Sequence, residues 1–276
     1  MSAVHDAYGQ FTSVVLTDAW KLAETGLSPE LRDAGLYHLA TMDASKGVRP
    51  ALVKAAAICA DGRALPEREL TRRGMCVQLT HEAMLVIDDA LDESPRRRGR
   101  ESLYHREGRV IATAVAAEFA TLAVELIDDD PAARKLCRSL IREVCVAETL
   151  QERGRFTTRP TPLELWERIA RGDTGAIFRL ALELGGWSDP QIGHALAYLR
   201  HGIDDIEDLL DPDGDQADVR DRVPTLPSCF TTETTLEGLR AAIPHAREHL
   251  RRWTRPTGMP APFAPFFADF AAALND

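Results

Sequence analysis

The sequence predicts an all-α fold, one domain of about ten helices, from three observations. Apolar residues recur with helical period along nearly the whole chain. Strand-like alternation of apolar and polar residues is scarce. Two stretches, Thr161-Pro162-Leu163-Glu164 and Ser188-Asp189-Pro190-Gln191, have the form of helix starts, with a capping residue, an early proline and an acid or amide three positions on.

In chain order, the first helix is expected at roughly 3–25 and the second at about 29–43, ending before Lys46-Gly47. A third starts near Pro50, since proline is tolerated only in the first turn. A long helix follows at about 66–92, weakened locally by Gly74. It ends in an arginine-rich loop holding Pro95 and Gly99. The next helix covers about 108–127 and stops at Asp128-Asp129-Asp130-Pro131, and another runs from 131 to about 153. The two capping stretches open helices that reach about 185 and about 210. Three prolines and many aspartates make 211–231 a loop, and helices at about 233–253 and 260–274 close the chain. Neither a low-complexity linker nor an internal repeat interrupts it, so residues 1–276 read as one domain.

Composition narrows the function. With 45% hydrophobic and 28% charged residues, the 276-residue chain is an ordinary globular protein. Its net charge of -10 argues against sequence-independent nucleic-acid binding, which needs a basic face. It suits a protein that gathers cations at carboxylates. Five cysteines, an odd number with no CxxC pair, read as reduced, buried thiols of a cytoplasmic protein. The start MSAVHDAYGQ lacks the pattern of a signal peptide. No stretch approaches the ~18 uninterrupted apolar residues of a membrane span.

The informative region is CVQLTHEAMLVIDDALDESPRRRGRESLYH, residues 76–105. Asp88 and Asp92 are four apart and share a helix face, with Asp89 about 100° away. Three carboxylates near the negative end of a helix dipole call for positive charge. Hard oxygen ligands of this kind suit magnesium, which keeps waters and bridges to phosphates. Taken alone, the cluster reads as well as a solvated acidic helix end. Arg96-Arg97-Arg98-Gly99 shifts the balance, because guanidinium forks grip phosphate oxygens. YLRHGIDDIED, residues 198–208, repeats the design with Asp204, Asp205 and Asp208. Two such patterns, each ending an apolar helix, point to a shared metal-diphosphate site.

Taken together, these motifs resemble the trans-polyprenyl diphosphate synthase family over about residues 43–227, as an atypical member. The resemblance implies the isoprenoid synthase fold, a bundle around a central cavity. It also implies about three magnesium ions, isoprenyl diphosphate substrates and a homodimer. Lys46, Arg49, His81 and Arg98 are expected to grip isopentenyl diphosphate, and Arg97 the allylic diphosphate. Asp88, Asp89, Asp92, Asp204, Asp205 and Asp208 match the metal-binding motifs, and of these Asp88, Asp89, Asp92, Asp204 and Asp205, with Arg97, are expected to be catalytic. Thr174 matches the threonine of a Lys-Thr motif, and Arg222 lies near a second family lysine. Met84 and Ala83, four and five residues before the first aspartate, match the floor that stops the growing chain.

The pattern is broken in places. Asp173 replaces the lysine before Thr174, Arg200-His201 replaces Phe-Gln, and Glu118 stands where aspartate is frequent. Arg200 is expected to restore the charge lost at Asp173. The implied activity is a prenyltransferase that ionises an allylic diphosphate and joins it to isopentenyl diphosphate or another acceptor. A terpene cyclase on the same scaffold is the alternative, favoured by the changes at Asp173, Arg200 and His201. A non-catalytic partner subunit is a third reading. Trp166, Phe178 and Trp187 are read as packing residues. Phe263, Phe266, Phe267 and Phe270 are read as last-helix packing or a dimer contact.

Overall fold

A computed structural model describes residues 2–44, 47–60, 65–155, 160–211, 217–220 and 222–275. Lys46 lies outside the described residues. Among the described residues, twelve α-helices dominate: α1 (Ala3–Gly26), α2 (Pro29–Leu39), α3 (Val48–Cys59), α4 (Glu67–Leu91), α5 (Leu103–Glu125), α6 (Pro131–Gly154), α7 (Leu163–Gly172), α8 (Thr174–Leu184), α9 (Pro190–Leu210), α10 (Ala217–Arg220), α11 (Leu236–Arg251) and α12 (Ala264–Ala273). Two-residue strands β1 (Arg96–Arg97) and β2 (Arg100–Glu101) form an antiparallel hairpin.

The chain divides into two units. One comprises Met1–Cys137 and Leu180–Trp187, the other Arg138–Arg179 and Ser188–Asp276. In the first, α4 packs against α5, α3 and α1. Every residue of α4 from Gly74 to Ala83 is buried. A helix enclosed on all sides can keep Gln78, His81 and Glu82 only by pairing them. Gly74, expected to weaken this helix, serves its packing: an added Cβ would lie 2.9 Å from a methyl of Val15 in α1. In the second unit α9 is the core element, contacted by α7, α11 and α12. Phe263, Phe266 and Phe267 are buried there and pack the unit's own core, whereas Phe270 is only half-buried.

Several boundaries differ from expectation for physical reasons. The second helix stops at Leu39 and continues as a 3-10 turn, Ala40–Ala44. α5 starts at Leu103, capped by the Ser102 hydroxyl, and kinks at Gly108, whose φ of 82° only glycine adopts cheaply. The expected capping box at Thr161 does not form. Thr161 accepts a hydrogen bond from the Ser228 hydroxyl at 2.8 Å and donates its N–H to the Ser228 carbonyl at 2.9 Å. Asp189, not Ser188, caps α9. The single helix expected to run from the Thr161 stretch to about 185 breaks at Asp173, whose backbone leaves helical space (φ -82°, ψ -94°). The acidic run before Pro131 is structural: Asp130 caps α6, and Asp129 and Asp130 pair with Arg72 and Arg73. All five cysteines are free; Cys76 and Cys137 are buried as expected, whereas Cys59 and Cys229 are half-buried and Cys145 is exposed.

Candidate functional site

In the first unit the hairpin aims two neighbouring arginines at two different carboxylates. Arg98 (φ 50°) and Gly99 (φ 78°) form its two-residue loop, with the pair of positive φ values that a type I′ turn requires. Ser102 ties the hairpin's base, donating its hydroxyl to the Ser94 carbonyl at 2.6 Å. Arg97 donates from Nε to Asp89 Oδ1 at 2.9 Å and from Nη2 to Asp88 Oδ2 at 2.8 Å. Arg98 turns to Glu82, donating to both carboxylate oxygens at 3.2 and 3.0 Å, and to the Thr41 hydroxyl at 3.2 Å.

The three aspartates of this motif are therefore not equivalent. Asp89 is fully buried and holds Arg97. Its second oxygen, Oδ2, has no hydrogen-bond partner among the described residues. Burial pushes the Asp89 carboxyl up, against the opposing pull of Arg97. Asp88 is 43% exposed, and Asp92, capping α4, is exposed. These two share the accessible face.

Glu82 was not singled out by the sequence, yet it organises this region. It is completely buried, and besides Arg98 it meets His38 Nε2 at 2.9 Å and accepts from the Gln78 amide at 2.6 Å. Burial raises its pKa, but the His38 hydrogen bond and the Arg98 charge outweigh burial and hold it well below the usual carboxylate range. His81, one residue earlier, is buried and driven well down, first by burial and then by Arg49 and Arg98. Arg49, in the first turn of α3, thus shares a positive neighbourhood with His81 and Arg98. Ala83 is fully enclosed, whereas Met84 is partly exposed and one turn before Asp88. Glu118 accepts hydrogen bonds from the backbone N–H and hydroxyl of Ser28, so it tethers the residue that precedes α2.

In the second unit the aspartate motif ends α9. Asp205 is buried and its Oδ2 accepts from Trp166 Nε1 and from the Leu226 N–H, both at 2.8 Å. Trp166, read from sequence as a packing residue, is thus also the donor that orients Asp205. A buried indole N–H needs an acceptor, which is the signal the sequence offered. Asp204 is paired with Arg200 one turn back. Burial, with crowding by Glu207 and Asp208, pushes Asp204 up to about 7. Burial and then Asp205 and Glu207 push Asp208 to about 6.

Asp173, which replaced the expected lysine, meets His201, which replaced the expected glutamine. His201 Nδ1 lies 3.4 Å from Asp173 Oδ2, and Thr174 Oγ1 lies 3.2 Å from each of these atoms. Burial opposes the His201 charge, but the Asp173 hydrogen bond and the surrounding carboxylates carry its pKa up to about 9. His201, not Arg200, is therefore the residue that answers Asp173. Arg222 is exposed at a left-handed position, φ 53°.

Both motifs offer hard oxygen donors, and an arginine already stands at the leading aspartate of each. Among the described residues, no three acidic, histidine or cysteine side chains close around an ion unaided. Magnesium does not need such a cage, because it completes its shell with water and phosphate. The donor set fits that ion.

The model of the family described as polyprenyl synthetase matches residues 33–237. The chain belongs to that family. A (2E,6E)-farnesyl diphosphate synthase of Mycobacterium tuberculosis is 29% identical over 238 residues, covering 74% of this chain and 64% of that protein. Sesterfisherol synthase of Neosartorya fischeri is 28% identical over 173 residues, 61% of this chain and 21% of that one. The chain thus spans less than two thirds of the length of these curated relatives. Among solved structures, heptaprenyl diphosphate synthase from Staphylococcus aureus superposes with a TM-score of 0.80 at 18% identity, covering 97% of this chain and 98% of the other. The polyprenyl synthase from Caulobacter crescentus complexed with calcium and isoprenyl diphosphate gives 0.77 at 16% identity, covering 99% and 97%. The fold is that of the isoprenoid synthases. Among the described residues, no helix is long and apolar enough to cross a membrane.

Proposed function

We propose that this polyprenyl synthetase family member is a magnesium-dependent trans-prenyltransferase, which ionises an allylic isoprenyl diphosphate and joins it to isopentenyl diphosphate or another acceptor. The observation that carries this reading is the division of labour within the first aspartate motif: Asp88 and Asp92 accessible, Asp89 buried and holding Arg97. Asp88 and Asp92, with Asp204, Asp205 and Asp208, would hold about three magnesium ions in this proposal. Bound magnesium supplies Lewis-acid charge to the departing diphosphate. Arg97, fixed by Asp89, adds a preorganised donor for the same negative charge. Trp166 and the Leu226 N–H both engage Oδ2 of Asp205 and so fix its carboxylate, which would leave Oδ1 to serve as a preorganised ligand when magnesium binds. Arg49, His81 and Arg98 hold the acceptor diphosphate, with Lys46 assigned there by resemblance. Met84 replaces Ala83 as the residue expected to limit chain length, because it lies on the Asp88 face. The calcium and isoprenyl diphosphate named for the Caulobacter protein, and the farnesyl diphosphate synthase name of a relative, support the substrate class. A homodimer in the cytoplasm belongs to the same proposal.

The Asp173–His201–Thr174 cluster favours cyclisation as the second reading, since it places a carboxylate where elongating members are expected to hold a lysine. A partner subunit without turnover of its own is the third outcome. Mass spectrometry of products from C5, C10, C15 and C20 diphosphates, each with and without isopentenyl diphosphate, separates them. A longer diphosphate that needs both substrates supports transfer. A hydrocarbon or alcohol from one substrate refutes transfer, and no turnover by the purified protein refutes both enzyme readings.

A further inference from the structure

A cavity of about 440 Å³ lies within the second unit, walled by α6, α7, α8 and the start of α9. None of its lining residues belongs to the motifs described above. Arg142, Arg168, Arg171 and Arg179 line it, against one carboxylate, Glu143. That carboxylate is committed, accepting from both Nη atoms of Arg179 at 2.9 and 3.0 Å. Among the described residues Arg142 and Arg168 are in no ion pair, and Arg171 donates to the Glu167 backbone carbonyl at 3.2 Å. Burial, then the charges of Arg171 and Arg179, push the neighbouring His194 down. Among the described residues, Arg179 alone of these four arginines is ion-paired, although the chain carries a net charge of -10.

The α6 wall that carries Arg142 continues as an apolar stretch. Val146 is 57% exposed, with Ala147 and Leu150 beside it. Gly172 and Gly175 leave bare backbone in the lining because α6 and α9 approach closely. An added Cβ would lie 2.8 Å from Ala147 Cβ and 2.9 Å from Ala197 Cβ respectively. The space exceeds a lone phosphate and lies within the range of small-molecule pockets.

We propose that this groove binds a soluble amphiphilic phosphate, its anionic head held by Arg142, Arg168 and Arg171 and its apolar portion on Val146 and Leu150. Guanidinium forks match phosphate oxygens, and no metal is required, which separates this site from the aspartate motifs. The inference does not depend on the proposed activity.

Calorimetric titration of the whole protein with octyl phosphate, in EDTA, tests it against inorganic phosphate. The wild-type chain is expected to bind octyl phosphate more tightly than inorganic phosphate, with affinity falling as salt rises. Arg168→Glu with Arg171→Glu is expected to weaken this binding about tenfold or more. Should that pair not fold, Arg142→Glu carries the same expectation, checked by circular dichroism. Binding unchanged by either charge reversal, or no preference for octyl phosphate, overturns the proposal. Retention of the wild-type chain, but not the variant, on phosphatidic acid vesicles would assign the groove to a membrane headgroup and overturn the soluble ligand.

Discussion

Replacing Glu82 by glutamine keeps the shape of a buried side chain and removes its charge. In the folded protein Glu82 receives two hydrogen bonds from Arg98, one from Gln78, and contacts His38 at 2.9 Å. A glutamine retains one acceptor oxygen and turns its amide toward groups that are themselves donors. At least two buried donors then lose their partner, at about 1–3 kcal/mol each, and Arg98 loses its buried counter-charge. The expected loss of stability is about 2–5 kcal/mol at pH 7, read from equilibrium unfolding in urea by tryptophan fluorescence. Arg98→Met should cost at least about 1 kcal/mol less in the Glu82→Gln background than in the wild type, because the two share one interaction. The folded-state carboxyl lies below its ordinary value of 4.5. Its contribution is therefore present above that value and disappears as pH falls through the folded-state value. The variant's deficit should shrink in acid. A deficit under about 1 kcal/mol, or additive single and double variants, would refute the view that Glu82 anchors Arg98.

Further expectations attach to the second motif and to Ala83 and Met84. Trp166→Phe removes one of the two hydrogen bonds to Asp205 and should raise the magnesium concentration for half-maximal turnover by about tenfold or more, measured by metal titration. Asp204 lies raised, at about 7, above its ordinary 3.8. Between those values the folded chain binds more protons than the unfolded one, so metal-free stability should fall as pH rises from 5 to 8. Asp204→Asn should flatten that dependence in thermal melts, and magnesium should reverse it in the wild type only. Ala83→Phe should destabilise by about 1–3 kcal/mol through overpacking, because Ala83 is enclosed, whereas Met84→Phe should fold normally and shorten the longest product. Product chromatography and denaturation read the two effects separately.

The helical fold and both aspartate motifs were legible because they depend on local spacing alone. Residues four apart share a helix face whatever surrounds them, and Asp88 with Asp92 and Asp204 with Asp208 follow that rule. What the sequence concealed depends on contacts between residues far apart in the chain. Thr161 has the form of a cap, but Ser228, 67 positions away, takes its hydroxyl. Trp166 reads as core until Asp205, 39 positions on, is placed against its N–H. Asp173 and His201 look like two separate departures from a family pattern, and their 3.4 Å approach makes them one exchange. The helix break at Asp173 was marked only by the flanking Gly172 and Gly175, which read equally well as close-packing glycines within one continuous helix. The arginine loop was legible as a loop, but the left-handed φ of Arg98 that sends Arg97 and Arg98 to different carboxylates was not.

The most direct test is calorimetric binding of an unreactive farnesyl thiolodiphosphate with and without magnesium, to the wild type and to Asp88→Ala and Asp204→Ala. Tight binding that requires the metal, and a loss of about a hundredfold in each variant, is the predicted result. Equal affinity in EDTA, or a variant that binds as the wild type does, would contradict a diphosphate held through metal-bound aspartates.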